Sequence, residues 1–339
     1  MSSAAPALRI GILGAARIAR QFAAGVRPSR KIAVAAIASR DAGKARAFAH
    51  DLEIARAHSS YEALLADDAI DAIYNPLPNS MHAEWSIRAL AAGKHVLCEK
   101  PLATSPADVR AMFDAAAQRG LYLVEGYPYR AQPQTRKLRE LLAAKAIGTV
   151  RFIQASMGFP MSDPGNIRLN PALAGGALMD AGCYPVSLAL MVAGGRPVRV
   201  HAMADRAESG VDRTLVGSLE FADGLLAQIS CSFATARHRH AFIAGDAGSI
   251  ATSYLNDTSA AFPATLELRR GPGWEAPRET IENATTDGFL AEAESFCDLV
   301  AHGWGRWTGV TPDESIDIAL TLEALLTSVR GGVAVELAR

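Results

Sequence analysis

Three stretches of this sequence put residues capable of chemistry where ligands bind. Glu99-Lys100-Pro101 closes a short apolar run, Val96-Leu97-Cys98, that reads as the buried end of a parallel strand. In open α/β sheets ligands sit beyond the carboxyl ends of the strands. Lys100 is therefore either an ammonium aimed at a ligand or a surface lysine in a βα loop. Gly14-Ala15-Ala16-Arg17-Ile18-Ala19 leaves an apolar strand and opens a helix, with Ala16 in place of the middle glycine of G-x-G-x-x-G/A. That turn offers backbone N–H groups and a positive helix end to a pyrophosphate; the competing reading is small residues that merely allow tight strand–helix packing. The third stretch runs from Gly175-Gly176 to Tyr184-Pro185. Its Gly-Gly pair opens an apolar helix on which Asp180 and Tyr184 stand one turn apart on one face. An acid on an apolar helix needs a partner or a ligand, so Asp180 either meets a ligand or caps a neighbouring element. Tyr184 either joins it or packs as an ordinary amphipathic ring. Asn166 and Arg168 lie just upstream.

The second strand of a dinucleotide fold ends near the adenosine ribose, where an acid favours a free 2′-hydroxyl and a base accommodates a 2′-phosphate. Here Ser39-Arg40 stands at that end. A hydroxyl and a guanidinium fork suit a phosphate monoester, which favours NADP over NAD. Asp41 is the competing ribose ligand, although an acid at that position also suits the start of the next helix.

The elements that must position these residues alternate through the first half. Strands are expected at 8–13, 32–38, 70–74, 96–98 and 121–124, with a helix after the first strand through about residue 24, helices at 41–50, 80–92 and 105–119 and a short one capped by Ser60. This alternation predicts a doubly wound parallel Rossmann sheet. After Tyr127 the pattern changes. A helix over 132–144 leads into alternating strands at 150–157, 198–204, 215–221 and 225–233, with Ala222-Asp223-Gly224 as a hairpin turn and further strands near 241–245, 249–253 and 265–269. Amphipathic helices follow at 288–301 and 313–330. The expected layout is a Rossmann domain over 1–127 and, over 128–339, an α+β domain with a large open, mostly antiparallel sheet. A second subunit would cover the free face of that sheet.

Composition narrows the function classes. A chain of 339 residues that is 50% hydrophobic and 20% charged, with a formal net charge of -1, is globular and lacks the basic surface of a nucleic-acid binder. The four cysteines are widely spaced, which suits buried thiols in a reducing compartment, the cytoplasm. Neither they nor the eight histidines show zinc-ligand spacing, so no metal is expected. The N-terminus lacks the basic and apolar regions of a signal peptide, and no apolar run is expected to reach the ~18 residues of a membrane span.

Together these motifs resemble the Gfo/Idh/MocA family of oxidoreductases. The marks are Gly11 to Ala19, Ala38-Ser39-Arg40, Asn75-Pro76-Leu77-Pro78-Asn79 with His82, Glu99-Lys100-Pro101, and Gly175-Gly176 to Tyr184-Pro185. The resemblance implies NADP or NAD bound by Gly14, Ala15, Ala16, Arg17, Ile18, Ser39 and Arg40, with Pro76, Leu77, Asn79, His82, Glu99 and Lys100 lining the crevice. It implies Lys100 beside nicotinamide and substrate, commonly after a cis Lys-Pro peptide. Many members carry histidine where this chain has Tyr184. The substitution matches a subgroup of xylose dehydrogenases, dihydrodiol dehydrogenases and sugar 3-ketoreductases, in which tyrosine is the acid/base. A tyrosine of reference pKa about 10 needs a neighbouring ammonium, the role of Lys100. Asp180, Arg168, Asn166 and Tyr127 become candidate substrate contacts. The expected activity is hydride transfer at a carbinol carbon of a sugar, polyol or cyclic diol, of the aldose 1-dehydrogenase type, with 3-keto reduction or dihydrodiol oxidation as alternatives. A non-catalytic NADP-binding regulator is the rival of another class. A short-chain dehydrogenase is disfavoured because no Tyr-x-x-x-Lys motif is present.

Overall fold

The computed structural model describes residues 7–338. The N-terminal residues 1–6, on which the expectation of no signal peptide bears, lie outside them. The described residues form two sheets. The first is parallel, with strands β1 (Leu8–Leu13), β2 (Ile32–Ala38), β3 (Arg56–His58), β4 (Ala72–Asn75), β5 (His95–Glu99) and β6 (Leu123–Gly126) in the order β3-β2-β1-β4-β5-β6. The order reverses between β1 and β4, and there the crevice beyond the carboxyl ends opens for ligands. Ile10, Ile12, Ile37, Ala72, Tyr74, Leu97 and Val124 fill its core.

The second sheet contains β7 (Val150–Gly158), β8 (Arg199–Arg206), β9 (Asp212–Glu220), β10 (Leu226–Ser232), β11 (His238–Gly245), β12 (Gly248–Thr252), β13 (Thr265–Arg270), β14 (Arg278–Glu282) and β15 (Val335–Glu336). Their order is β14-β13-β12-β11-β7-β10-β9-β8-β15. All neighbours are antiparallel except β7 and β10. The hairpin at 222–224 forms as expected, pairing Glu220 with Leu226. One face of this sheet is core, with Ile153, Ala202, Leu219, Ile229 and Ile243 buried. The alternate residues Gln154, His201, Met203, Val216, Ser218, Gln228 and Phe242 face outward.

Two compact units divide the chain otherwise than a single cut after residue 127. The first contains residues up to Ala103, then Ala107–Gln132, and takes back Thr286–Pro312; the second contains Thr104–Pro106, Pro133–Thr285 and the chain from Asp313 onward. The helix Gly288–His302 was expected in the second domain because it follows the second sheet in sequence. Its apolar side decides otherwise. Ala293, Phe296 and Leu299 join the first core, and Phe289 meets Phe22 edge-on at 6.0 Å. Its polar side ties down the same unit, Ser29 Oγ donating to Glu294 at 2.7 Å and Lys31 Nζ pairing with Asp298 at 2.9 Å.

The expectation that no apolar run reaches spanning length fails at Pro171–Ala193. An 18-residue window of that 23-residue stretch has a mean hydropathy of 1.4, and 78% of the window is buried inside the fold. The run is apolar because it crosses the core of the second unit.

Candidate active site

In the first unit the residues after β1 form a cradle for an anion. Gly14 adopts φ +89°, and a Cβ there would stand 3.0 Å from Leu77 Cδ2 in the loop after β4. Glycine both makes the left-handed turn and admits that loop. The helix Arg17–Val26 starts behind it at Ala16 with no side-chain cap and no acid in its first turn. Its first N–H groups and its positive end are left for a ligand, the arrangement a pyrophosphate requires. Arg17 and Arg40 are exposed, and Ser39 is buried at the end of β2. Asp41 is engaged elsewhere: its Oδ1 accepts the Gly43 and Lys44 N–H groups at 2.9 and 3.0 Å, and these bonds hold its carboxyl below the usual range. It caps the next helix, which leaves Arg40 as the charged side chain at the ribose position. These residues fit a phosphorylated dinucleotide.

The crevice side of the sheet is tied together by buried polar contacts. Asn75 is fully buried; its Nδ2 donates to His82 O and Ser86 Oγ, and its Oδ1 accepts from Leu77 N. His82 packs both ring nitrogens on carbonyls, Nδ1 at 2.9 Å from Pro101 O and Nε2 at 2.7 Å from Leu77 O. Burial, aided by the Lys100 charge, outweighs those carbonyls and lowers its pKa to about 4. The neutral ring carries one N–H, so one contact is a donated bond and the other a close approach of lone pairs. His82 therefore acts as a structural tie between the loop after β4 and Pro101. Pro76 is buried beside Leu77, and Asn79 opens the turn that leads to His82.

Lys100 is half-buried and the Lys100–Pro101 peptide is cis. The residues around it are fixed by buried polar contacts. Tyr74 Oη donates to Glu99 Oε1 at 2.6 Å, and Leu102 N donates to Glu125 Oε1 at 2.9 Å. Glu292, returned to this unit by its helix, faces Glu99 and the Tyr127 peptide; burial first and the Glu99 charge second push its carboxyl well above the usual range. Tyr127 is fully buried in an edge-on pair with Tyr129, centroids 6.2 Å apart, which fits packing better than contact with a ligand.

The second unit builds its site on the Gly-Gly helix. A Cβ on Gly175 would lie 2.3 Å from Arg168 O, and one on Gly176 (φ +123°) 2.2 Å from Asp212 Oδ1. The two glycines let the chain pass between the upstream loop and β9. Asp212 is buried and accepts the Leu178 N–H at 2.6 Å, while burial raises its pKa. The helix opens not as a plain α-turn but as a π segment, Leu178–Gly182, before the α-helix Cys183–Ala193. Such wide turns are rare and often mark functional sites.

Asp180 has its partner. Arg168 Nε donates to Asp180 Oδ2 at 2.7 Å, with 34% and 15% of the two side chains exposed. Asn166 Oδ1 accepts Arg168 N at 3.1 Å and so shapes the turn that presents Arg168. The structure thus brings together three of the proposed substrate contacts. Tyr184 is 4% exposed, and its hydroxyl accepts from Asn256 Nδ2 at 2.9 Å. The Arg239 guanidinium lies 4.3 Å over its ring and 4.5 Å over that of Tyr254. Arg239, Tyr254 and Asn256 were not found in the sequence. Arg239 stands at the polar start of β11, and the other two lie in an irregular loop after β12 with no motif to flag them.

Residues 8–127 match the sequence model of an oxidoreductase family with an NAD-binding Rossmann fold, and residues 135–251 match the GFO/IDH/MocA C-terminal domain. A D-xylose 1-dehydrogenase (NADP(+)) of Haloferax volcanii is 37% identical over 97% of this chain and 100% of its own. A trans-1,2-dihydrobenzene-1,2-diol dehydrogenase of Sus scrofa is 35% identical over 71% of this chain and 73% of its own. Among solved structures, the 3-ketoreductase KijD10 of Actinomadura kijaniata, crystallised with NADP and TDP-benzene, superposes with a TM-score of 0.86 at 30% identity and covers 95% of this chain and 98% of its own.

Proposed function

The chain belongs to the Gfo/Idh/MocA family of oxidoreductases, and from that premise we propose that it is an NADP-dependent dehydrogenase of a sugar, polyol or cyclic diol, with an aldose oxidised at C1 as the preferred substrate. The observation that carries the reading is Tyr184, a buried phenol on the Gly-Gly helix whose oxygen is hydrogen-bonded by an amide N–H. An aldose is preferred because the xylose dehydrogenase named above matches over its whole length.

The residues divide the work as follows. Gly14, Ala15, Ala16, Arg17 and Ile18 hold the pyrophosphate, and Ser39 with Arg40 holds a 2′-phosphate. The nicotinamide, when bound, exchanges a hydride with the carbinol carbon. Tyr184 takes the hydroxyl proton during oxidation and returns it during reduction. Lys100 supplies a positive charge that stabilises an alkoxide-like transition state. Arg168 and Asp180, already paired, offer donors and acceptors to the remaining substrate hydroxyls. The outward residues Met203, Val216 and Phe242 of the second sheet support a homodimer formed through that face, with an apolar centre that a partner would cover. The four free cysteines, three of them buried, support a cytoplasmic location.

The test is a screen of NADP(+) and NAD(+) reduction by the purified protein against aldoses, polyols and cyclic diols, followed by nicotinamide absorbance. Lys100→Met and Tyr184→Phe should each lower kcat by at least about 100-fold while leaving NADPH binding within a few-fold, since general acid–base groups contribute ~100- to 10,000-fold. Full turnover in either variant removes that residue from the mechanism, and no turnover of any substrate favours the regulator.

A further inference from the structure

We propose that Arg239 and Asn256 form a clamp that holds Tyr184 ready to ionise, Arg239 by its charge over the ring and Asn256 by a hydrogen bond to the phenol oxygen. This deepens the reading of Tyr184 as the acid/base and rests on it.

Hydrogen-bond logic fixes the clamp's polarity. A guanidinium has only donors. Arg239 Nη1 lies 3.1 Å from Asn256 Oδ1, so the amide oxygen must face Arg239. The other amide group, Nδ2, then faces the Tyr184 hydroxyl at 2.9 Å and can only donate to it. The phenol oxygen receives that bond on a lone pair, so the bond does not use the phenol's own hydrogen. When the hydrogen leaves to a substrate alkoxide, the phenolate keeps the Asn256 bond, strengthened by its charge. The guanidinium 4.3 Å over the ring favours the same state.

The backbone supports a built device. Tyr254 has φ +36°, a conformation that a bulky residue adopts only when its surroundings force it. The strained turn follows β12 directly. It sets Tyr254 under the Arg239 guanidinium, with its hydroxyl donating to Ser156 O at 3.0 Å, and delivers Asn256 two residues later to Tyr184. Strain of this kind collects where geometry serves function.

Among the other titratable groups here, the carboxylates Asp180, Asp257 and, on β9, Asp212 oppose ionisation, while His238 and His240 on β11 add positive charge only when protonated. Asp180 stands one turn before Tyr184 but is neutralised by Arg168. Asp257, next to Asn256, is exposed. Cys183 sits on the same helix, and Cys231 on β10 is kept a neutral thiol by burial. Arg239 and Asn256 are positioning residues: they touch Tyr184, and only through it the reaction.

The experiment titrates Tyr184 directly, in the full chain labelled with 13Cζ-tyrosine, its resonance assigned by loss in Tyr184→Phe. The wild-type midpoint should lie below the reference of about 10. Arg239→Gln should raise it by about one pH unit or more, Arg239→Lys should restore most of the difference, and Asn256→Asp, which puts a carboxylate on the phenol oxygen, should raise it as well. Equal midpoints in wild type and Arg239→Gln overturn the proposal. If Arg239→Gln fails to fold, Asn256→Asp decides in the same way. The titration reads the clamp whether or not the protein oxidises sugars, so its outcome is separable from that of the substrate screen. Where turnover is found, the same shift should appear in the pH profile of kcat/KM.

Discussion

Gly176→Ala is expected to disable the helix that carries Tyr184, by a magnitude the geometry sets. A Cβ at residue 176 would lie 2.2 Å from Asp212 Oδ1 and 3.2 Å from its Cγ. To reach ordinary contact Oδ1 must withdraw by about 1 Å, and turning the carboxylate to do so pulls its other oxygen, Oδ2, off the 2.6 Å bond it accepts from Leu178 N. Asp212 is 5% exposed, so the carboxylate finds no water in exchange. Loss of a bond to a charged group costs about 1.5–3 kcal/mol. Alanine forced to hold φ +123° costs ~1–3 kcal/mol more. The sum, about 3–6 kcal/mol, is a large share of the ~5–15 kcal/mol that holds a typical domain folded. Urea denaturation followed by near-ultraviolet circular dichroism measures it. Gly194→Ala is the control: it too has a positive φ, +78°, but nothing lies within 4 Å of its Cβ position, so only the backbone cost remains. A double-mutant cycle with Asp212→Ala isolates the clash. If Gly176→Ala costs no more than Gly194→Ala, or costs the same with Asp212 removed, the packing argument is wrong.

Glu292→Gln tests the buried acid beside Glu99. Because the Glu292 carboxyl ionises in the fold only well above its unfolded value, the wild type loses stability as pH rises past about 4.3, at up to about 1.4 kcal/mol per unit, until the folded value is reached. Glutamine removes that slope, so urea midpoints of the variant and wild type should diverge from pH 5 upward in the variant's favour; parallel curves would reject a protonated Glu292. Arg40→Asp should lower the NADP-to-NAD ratio of kcat/KM by at least about tenfold, the worth of one charge-assisted bond. An unchanged ratio would move 2′-phosphate recognition away from Arg40.

What could be read from the sequence follows the range of the interactions concerned. The β1 turn, the Ser60 and Asp41 caps and the hairpin at 222–224 are set by neighbours within a few residues, and all were legible. The short strands β3, β14 and β15 were not, because their residues are mostly half-buried or exposed and lack a clear alternation. The helix Gly288–His302 shows where chain order misleads. Its amphipathic spacing is plain, but only the packing of Phe296 and Leu299 on the first core says which unit owns it. The site divides in the same way. Lys100, Asp180 and Tyr184 announce themselves through strand ends and a Gly-Gly helix, whereas Arg239 and Asn256, 55 and 72 residues further along the chain, reach Tyr184 from a strand and a loop. The alternating pattern of β11 begins for the eye at Ala241, and Arg239 looks like one of several charges at an exposed strand end. Nothing local distinguishes an arginine that solvates a sheet edge from one that lies over a buried tyrosine ring. The distinction comes from register: β11 pairs with β7 so that Arg239 stands opposite Met157, next to the Ser156 carbonyl that anchors Tyr254. The groups proposed to perform the chemistry can thus be named from motifs, while the groups proposed to tune it emerge only once the second sheet is assembled. On that proposal, substitutions at Arg239 or Asn256 shift the pH dependence of a chain that keeps the same lysine and tyrosine, without any change in motif.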